Sequence, residues 1–254
     1  MEKGLVDLAS LRKLKNDADF RGKSAFCFVK GDKIIKVYAS KSDKGYIPLD
    51  RNSICDFSKY ESNTIVFPDE YIYENGRKAG EILRYIEKTS IYNSLADNLD
   101  IYKFMEHYDM AIGDIIIYSN ILMYDLGRVN ILYSPIDGFN IIDTTEWEIN
   151  KSDNNRDNIG RFSSSIIKSL LDYLDLNAIN YYNYPMIDQK IKEFISKFGD
   201  AGKEFYRVIF NCMQERFNFI RFINAYMNLY QKYYSTDLKT LSDMKELTKV
   251  IKKG

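Results

Sequence analysis

Three oxygen-bearing side chains flank a short apolar hairpin in the middle of the chain, and their types suit a magnesium–phosphate site. Asp125 comes first, Asn130 follows five residues later, and Asp143 ends the second apolar segment. The two apolar segments, residues 131–133 and 139–142, are separated by a Ser-Pro-Ile-Asp-Gly turn. Antiparallel pairing brings the entrance and the exit of a hairpin to the same end, so we expect the three side chains to converge. Mg²⁺ prefers such hard oxygen ligands and keeps part of its coordination shell for phosphate.

The order of these residues resembles the catalytic core of the protein-kinase-like superfamily. In protein kinases a metal-binding Asn stands five residues after the acid of the catalytic loop, and the metal-binding Asp of Asp-Phe-Gly follows a short hairpin. The resemblance implies that Asp125 orients the acceptor hydroxyl and that Asn130 and Asp143 bind Mg²⁺. It extends over residues 20–147 in order and is generic beyond them. The alternative is an ordinary surface hairpin whose Asp and Asn side chains cap turns.

Lys36 is the residue that the resemblance assigns to the ATP phosphates. It lies in the second of two apolar β-forming segments, residues 25–29 and 34–38, which flank a Gly-Asp connection and predict a hairpin. The run Lys33-Ile34-Ile35-Lys36-Val37 resembles the Val-Ala-Ile-Lys strand of kinases, whose lysine contacts the α- and β-phosphates. The alternative is a solvated lysine on an edge strand.

The turn that would cover the ATP phosphates carries a single glycine. If residues 20–26 form this turn, it contacts the nucleotide through Gly22 and the Ser24 hydroxyl, whereas a kinase Gly-rich loop has three glycines. The Gly-Lys-Ser triplet is not a P-loop, because Asp17 stands where that motif requires its earlier glycine.

Two further parts of the nucleotide site are predicted from their place in the chain. Kinases pair the phosphate-binding lysine with a glutamate from a helix. A weak helical run in residues 48–62 offers Glu61, which we favour, and Asp56 as that partner. The hinge is predicted at residues 84–89, where backbone groups, including those of Tyr85, would bind adenine.

Two departures from the kinase pattern concern the catalytic loop. Met123-Tyr124-Asp125 replaces His-Arg-Asp, so no arginine beside the acid could bind a phosphorylated activation loop, and control of that kind is not expected. Gly127 stands where many Ser/Thr kinases have a lysine, and Arg128 follows it. Arg128 could contact the γ-phosphate or the acceptor in place of that lysine, or it could simply face solvent.

The predicted fold class is α+β, with the bilobal protein-kinase-like arrangement of a small antiparallel β lobe and a larger helical lobe. Residues 1–87 form the β-rich nucleotide-binding lobe, which begins with a short amphipathic helix or arm. Residues 88–254 form the helical lobe that carries the catalytic hairpin. Further strands are predicted at residues 64–67, 71–73 and 79–86. Helices are predicted at residues 99–118, 162–174, 186–198, 203–223 and 238–251, with His107 on the exposed side of the first.

The composition argues against several classes of site and partner. Basic and acidic residues number 36 each, so the net charge is zero and predicts neither a nucleic-acid nor a membrane partner. Cys27, Cys55 and Cys212 lack C-x-x-C spacing, which argues against a disulfide framework or a zinc site. The single histidine gives His-based catalysis little support. Without a signal peptide or a long apolar run, the expected location is the cytoplasm.

The implied function is Mg-ATP-dependent phosphoryl transfer to a protein Ser or Thr hydroxyl by an atypical bacterial kinase. ATP and Mg²⁺ are the implied cofactors, a protein substrate or regulatory protein is the implied partner, and the oligomeric state stays open. A protein acceptor is favoured because only a short polar loop, residues 148–160, follows the hairpin and leaves an open shelf for an extended segment. The Ser163-Ser164-Ser165 run beyond that loop is a candidate site of self-modification.

Two alternatives remain. A small-molecule phosphotransferase of the aminoglycoside or choline kinase kind shares the Asp-x4-Asn hairpin. It usually has a histidine where this chain has Gly127, and an acidic acceptor cleft. A pseudokinase that binds nucleotide or acts as a scaffold fits the single-glycine turn and the poorly defined Lys36 partner. Clustered carboxylates argue against a scaffold, which has no physical need for them.

Overall fold

The computed structural model describes residues 7–176, 202–205, 207 and 218–253, and it shows a mixed α+β protein. The N-terminal part is an antiparallel sheet preceded by a short helix, α1 (Leu8–Lys13). Its five strands are β1 (Phe20–Arg21), β2 (Ala25–Lys30), β3 (Lys33–Tyr38), β4 (Glu70–Glu74) and β5 (Arg77–Arg84). The strand order is β1-β2-β3-β5-β4, so β3 lies in the middle of the sheet.

Two tight turns fix the register of this sheet. Gly31, between β2 and β3, has a φ of +64°, and Asn75 and Gly76, between β4 and β5, have φ values of +52° and +74°. Positive φ at both central residues matches the twist of the flanking strands, which is why Asn-Gly is a common hairpin turn. The hairpin predicted at residues 25–38 is confirmed. Because β3 pairs on both sides, the solvated edge-strand alternative for Lys36 is wrong.

The connection from β3 to β4 contains no helix, so the helical run predicted within residues 48–62 is wrong. Asp50 and Asp56 each accept a backbone N–H two residues ahead, at 3.1 Å and 3.0 Å. Such local bonds favour turns over a helix. The strand predicted at residues 64–67 is reduced to an isolated parallel bridge between Ile65 and Ile141.

The rest of the described chain is mainly helical and contains two small sheets. Its helices are α2 (Ile91–Ser94), α3 (Ile101–Ile117), α4 (Asn155–Tyr173), α5 (Phe219–Tyr234) and α6 (Leu241–Lys253). The short strands are β6 (Thr89–Ser90), β7 (Ile121–Leu122), β8 (Ile131–Ser134), β9 (Gly138–Ile141) and β10 (Glu148–Ile149). One sheet has the order β6-β8-β9 and the other pairs β7 with β10. Residues 202–205 and 207 are also helical.

Helix α3 agrees closely with the helix predicted at residues 99–118. Its apolar face is buried through Ile101, Phe104, Tyr108 and Ile115. His107, which was predicted to be exposed, is also buried and only 8% exposed. His107 is buried because the turn of the β8–β9 hairpin covers its imidazole. The Cα of Gly138 packs so closely on the ring that a Cβ at this position would lie 3.2 Å from it.

The other helix predictions are confirmed in part. Helix α4 begins at Asn155, earlier than predicted, and α6 covers most of the helix predicted at residues 238–251. The helix predicted at residues 203–223 is wrong near its end, because Asn218 begins a new helix by accepting the Arg221 N–H at 3.0 Å. The helix predicted at residues 186–198 lies outside the described residues.

One large apolar cluster joins α3, the β8–β9 hairpin and helices α4 to α6. The five-stranded sheet has two smaller apolar clusters of its own, one on each face of the sheet. The hairpin that carries the candidate site is therefore anchored in the largest core of the described chain. Among the helices that the structure describes, none has the length and apolar character needed to cross a membrane.

Candidate functional site

The β8–β9 hairpin brings the entrance residue Asn130 to the exit residue Asp143. Ile131 pairs with Ile141, and the next backbone bond runs from the Ile142 N–H to the Asn130 carbonyl at 2.9 Å. Asn130 therefore lies directly across from the residue before Asp143. Its Nδ2 donates to the Asp125 carbonyl at 2.9 Å and to the Asp125 Oδ2 at 3.1 Å. The backbone register expected from antiparallel pairing is observed, and Asn130 and Asp125 are in contact as predicted.

Both aspartates have unusual backbone conformations. Asp125 has a φ of +50° and Asp143 a φ of +64°, in the left-handed region that residues other than glycine seldom adopt. Such conformations cost free energy and persist where the surrounding structure imposes them, often at functional sites. Positive φ alone does not separate a functional role from a turn-capping one, because Asn75 in a hairpin turn and Ser235 at a helix end share it.

Lys36 joins this cluster from the five-stranded sheet. Its Nζ lies 2.6 Å from the Asp143 Oδ1 and 3.1 Å from the Glu81 Oε1, and it also donates to the Thr145 hydroxyl. That hydroxyl in turn donates to the Asp143 Oδ1 at 2.9 Å. Lys36 is 8% exposed and Glu81 is fully buried. A buried lysine held by two carboxylates is fixed in direction, as a phosphate contact requires.

The charges around Lys36 and Asp143 favour the ionised form of both side chains. Burial lowers the pKa of Lys36, but the negative charges of Glu81 and Asp143 outweigh it and hold that pKa above its ordinary value. Burial raises the pKa of Asp143, yet the charge and hydrogen bond of Lys36 keep it below its usual range. Cys27 faces Lys36 across β2 and β3, and burial raises the pKa of its thiol to about 11. Cys27 is therefore a neutral thiol at physiological pH.

The predicted carboxylate partner of Lys36 is wrong. Glu61 and Asp56 are exposed; the Glu61 carbonyl accepts the Tyr118 hydroxyl, and Asp56 bonds to Ser58. Glu81 takes the place expected for them because it is the register partner of Lys36 on β5. The signal in the sequence was a lone acid within the apolar run Ala79-Gly80-Glu81-Ile82-Leu83, which we assigned only to a strand.

The predicted phosphate-covering turn is a tight two-residue hairpin. The Gly22 N–H donates to the Ala25 carbonyl at 2.9 Å, and Lys23 and Ser24 form the turn between β1 and β2. A Cβ at Gly22 would meet its nearest neighbour at 3.7 Å, an ordinary contact, so the fold does not require glycine there. The Ser24 carbonyl accepts the Ala39 N–H at 2.8 Å, which ties the turn to the end of β3.

The predicted hinge is an extended connection whose N–H groups are partly engaged. The Tyr85 N–H donates to the Asp32 carbonyl at 2.8 Å, and the Lys88 N–H donates to the Ile86 carbonyl at 2.9 Å. Tyr85 cannot offer its N–H to an adenine without losing that bond. An adenine contact at this residue would use its carbonyl.

Arg128 contacts α4 while its side chain stays partly exposed to solvent. Its guanidinium forms an ion pair with Asp172 and lies 5.0 Å from the centre of the Tyr92 ring. The side chain remains 36% exposed. Arg128 lies three residues after Asp125 in the same loop, and any contact with phosphate or acceptor would compete with its ion pair to Asp172.

Asn158 is a positioning residue that the sequence analysis missed. It is fully buried on α4, donates to the Ile121 carbonyl at 2.7 Å and accepts the Met123 N–H at 3.0 Å. The Trp147 indole donates to the Tyr124 carbonyl at 2.7 Å. Hydrogen bonds from Asn158 and Trp147 therefore hold the backbone of residues 121–124, directly before Asp125. The polar composition of residues 148–160 predicts a loop that includes Asn158, although the spacing from Asn158 to the buried Phe162 is helical.

The serine run on α4, predicted as a candidate site of self-modification, is buried in the folded protein. Ser163, Ser164 and Ser165 are 1%, 8% and 7% exposed. Ser163 donates to the Ile159 carbonyl at 2.7 Å and contacts the Tyr108 hydroxyl, and Ser165 donates to the Leu126 carbonyl. These serines pack α4 against α3 and the loop that carries Asp125, so their burial argues against the predicted self-modification.

The oxygen atoms at the hairpin fit a Mg²⁺ ion that shares its shell with phosphate. Across the described ranges, no three or more His, Cys, Asp and Glu side chains form a metal-binding group. Asn130 uses its Nδ2 on Asp125, so its amide oxygen is the atom of that side chain that could act as a metal ligand. One or two protein oxygens are what Mg²⁺ takes when phosphates supply the rest.

Comparison with known proteins adds no family assignment. No protein-family model matches the chain, and the search among curated proteins gives no match.

Proposed function

We propose that the chain is a Mg-ATP-dependent phosphotransferase with a bilobal, protein-kinase-like arrangement, which binds ATP between the five-stranded sheet and the β8–β9 hairpin. The carrying observation is the contact of 2.6 Å between Lys36 Nζ and Asp143 Oδ1, which are 107 residues apart in the chain. It joins the predicted phosphate contact to the predicted metal ligand. The antiparallel sheet and the helices around the hairpin are consistent with this arrangement.

Each residue has a role that its position allows. Lys36 contacts the phosphates of ATP, and Asn130 and Asp143 hold the metal ion. Mg²⁺, when bound, neutralises charge on the phosphate oxygens. Asp125 is exposed and orients the incoming hydroxyl, while Asn130 fixes its carboxylate by donating to Oδ2. Catalysis of this kind depends chiefly on positioning and charge neutralisation.

Gly127 leaves room for the Asp125 carboxylate. A Cβ at Gly127 would lie 3.3 Å from the Asp125 Oδ1, which is tighter than an ordinary contact. Many Ser/Thr kinases place a lysine at this position. Because Gly127 has no side chain, the Asp125 carboxylate can occupy the space next to it.

We propose a protein Ser or Thr hydroxyl as the acceptor. Only residues 150–154 separate β10 from α4, so no inserted element encloses a small-molecule pocket between the hairpin and that helix. Val129 and Tyr92, on segments that flank Arg128, are 71% and 54% exposed. An extended protein segment could lie over such a surface.

One observation favours a second candidate, a nucleotide-binding pseudokinase. The turn between β1 and β2 has two residues, and β1 itself has two, so little chain is available to cover phosphates. In such a protein ATP would bind without transfer.

The test is thermal melting with ATP, with Mg²⁺, and with both, followed by incubation with γ-labelled ATP and cell lysate. ATP stabilises only the folded form that binds it, so the melting temperature should rise most with ATP and Mg²⁺ together. Asp143→Ala should remove the Mg²⁺-dependent part of that rise. The matched control is Asp137→Ala, which changes an exposed Asp at the tip of the same hairpin. A folded protein that shows no shift at millimolar Mg-ATP would contradict the proposal.

A further inference from the structure

Glu81 is placed to align Lys36 from inside the sheet. Lys36 on β3 and Glu81 on β5 are register partners, so their side chains leave the same face of the sheet. The Nζ–Oε1 distance is 3.1 Å, and Glu81 is fully buried. The carboxylate lies on a strand that pairs on both sides, with β3 and with β4.

The second oxygen of Glu81 is also held. Tyr38 lies two residues after Lys36 on β3, and its hydroxyl donates to the Glu81 Oε2 at 2.8 Å. The Thr145 hydroxyl lies 3.3 Å from Oε1. With both oxygens bonded and no exposed surface, Glu81 has little freedom to turn away from Lys36.

The segment that could have supplied a movable partner does not reach the lysine. Residues 39–69 contain no helix, and Glu61, the partner expected from the sequence, is exposed. The carboxylates in contact with Lys36 are Glu81 on β5 and Asp143 after β9. Asp143 is assigned to the metal ion, which leaves Glu81 to hold the lysine when the site is loaded.

We propose that Glu81 is the positioning residue of Lys36. It keeps the phosphate-binding lysine aligned from within the sheet, and this alignment requires no movement of the connection between β3 and β4. This inference rests on the proposed function for its meaning, but the contact can be tested without nucleotide. The alternative is that Glu81 serves only to stabilise the fold.

A double-mutant cycle separates these roles. Glu81→Gln keeps the size of the side chain and an acceptor for Tyr38 but removes the charge. We expect it to lower kcat for phosphoryl transfer by at least 10-fold with a smaller rise in the KM for ATP. In the Lys36→Met background the same change should have little further effect on either constant, because Glu81 acts through Lys36. An equal loss in both backgrounds would overturn the proposal.

Two companion variants guard against a general loss of structure. Glu81→Asp keeps the charge and should recover part of kcat, and it replaces Glu81→Gln in the cycle if that variant does not fold. Glu70→Gln changes an exposed glutamate of the same sheet and should leave kcat unchanged. Glu61→Gln should also leave kcat unchanged, and a loss as large as that of Glu81→Gln would return the positioning role to the β3–β4 connection.

A nucleotide-free measurement distinguishes failure of this inference from failure of the proposed function. The folded protein is treated with an amine-reactive reagent at a single pH, and the modification of Lys36 is followed by peptide mass spectrometry against exposed Lys23. Glu81→Gln should raise the relative rate at Lys36 several-fold, and Glu61→Gln should not. If the wild-type protein binds no ATP, the proposed function fails, but the modification rate of Lys36 still tests the positioning role of Glu81. An unchanged modification rate in Glu81→Gln would overturn that role.

Discussion

The side-chain amide nitrogen of Asn130 donates hydrogen bonds to two atoms of Asp125, the backbone carbonyl oxygen at 2.9 Å and the carboxylate Oδ2 at 3.1 Å. The bond fixes the direction of an exposed carboxylate that stands on a strained backbone with a φ of +50°. The donor in both bonds is the amide nitrogen, so the amide oxygen of Asn130 is not used in them and could accept a cation. Under the proposed function, Asn130 thus fixes the residue that orients the acceptor and is itself a ligand of the metal ion.

Asp125→Asn should abolish phosphoryl transfer while ATP binding persists. The change removes the group that orients the acceptor hydroxyl and takes its proton, a contribution of about 10²–10⁴-fold in rate. Labelled-ATP transfer and a melting shift with Mg-ATP, measured on the same preparation, test both halves. Transfer at the wild-type rate would remove Asp125 from the catalytic role.

Gly127→Ala should slow transfer and leave ATP binding unchanged. The added Cβ would crowd the Asp125 Oδ1 at 3.3 Å, and the φ of Gly127 is not in the positive range that only glycine favours. We expect a loss of several-fold in kcat, measured in the same transfer assay. Gly113→Ala on α3 is the control, because a Cβ there meets open space and alanine stabilises a helix interior by up to about 1 kcal/mol.

Lys36→Met should lower stability as well as activity. The substitution leaves the fully buried Glu81 without a counter-charge, and breaking a buried ion pair in this way costs about 3–5 kcal/mol. Lys33→Met, on the same strand, breaks only a surface pair with Asp69 and should cost less than about 1 kcal/mol. Urea unfolding of the two variants gives the comparison. Equal losses would mean that the Lys36 pair is as solvated as the Lys33 pair.

Asn158→Leu should weaken the approach to Asp125. It removes the donor to the Ile121 carbonyl and the acceptor of the Met123 N–H, and each buried group left unpaired costs about 1–3 kcal/mol. Transfer should fall together with stability, because the backbone before Asp125 loses its anchor. Asn155→Ala is the matched control on the same helix, since the Oδ1 of Asn155 is buried without a hydrogen-bond partner among the described residues. Hydrogen exchange at residues 121–125 should rise only in Asn158→Leu.

Asp43 should make the N-terminal helix sensitive to acid. Burial raises the pKa of Asp43, but bonds from Ser40 and the charges of Arg12 and Lys15 outweigh it and lower that pKa below its usual value. A carboxyl whose pKa is lower in the folded state contributes stability above its unfolded pKa. That contribution is lost as the pH falls through the folded pKa, so the window lies below about pH 4.

Asp43→Asn tests that dependence. The variant loses a charged hydrogen bond to Arg12, formed at 2.6 Å, and should lose about 1.5–3 kcal/mol at neutral pH. Below the folded pKa the difference between wild type and variant should shrink, as seen by urea unfolding at a series of pH values. A constant difference from pH 7 to pH 2 would show that the charge of Asp43 is not what stabilises the contact.

The sequence by itself determined the local elements around the candidate site. Apolar β-forming segments that flank a Gly-Asp connection or a Ser-Pro-Ile-Asp-Gly turn predict hairpins, so β2–β3 and β8–β9 lie where the pattern predicts. The same periodicity located α3, whose apolar stripe is regular. Because the ends of a hairpin must meet, the position of Asn130 across from Ile142, the residue before Asp143, could also be predicted.

The tertiary structure alone decided which side chains meet across elements. The partner of Lys36 depends on which strands are neighbours and in what register, and β5 brought Glu81 where we expected a helix to bring Glu61. His107 and the serine run from Ser163 are buried because a hairpin turn and the catalytic loop pack on them, and helical periodicity cannot foresee those contacts. Asn158 gained its role in the same way, since its two backbone partners lie 37 and 35 residues before it in the chain. A residue's neighbours along the chain set its local conformation, whereas burial and charge pairing depend on distant segments that only the folded chain brings together.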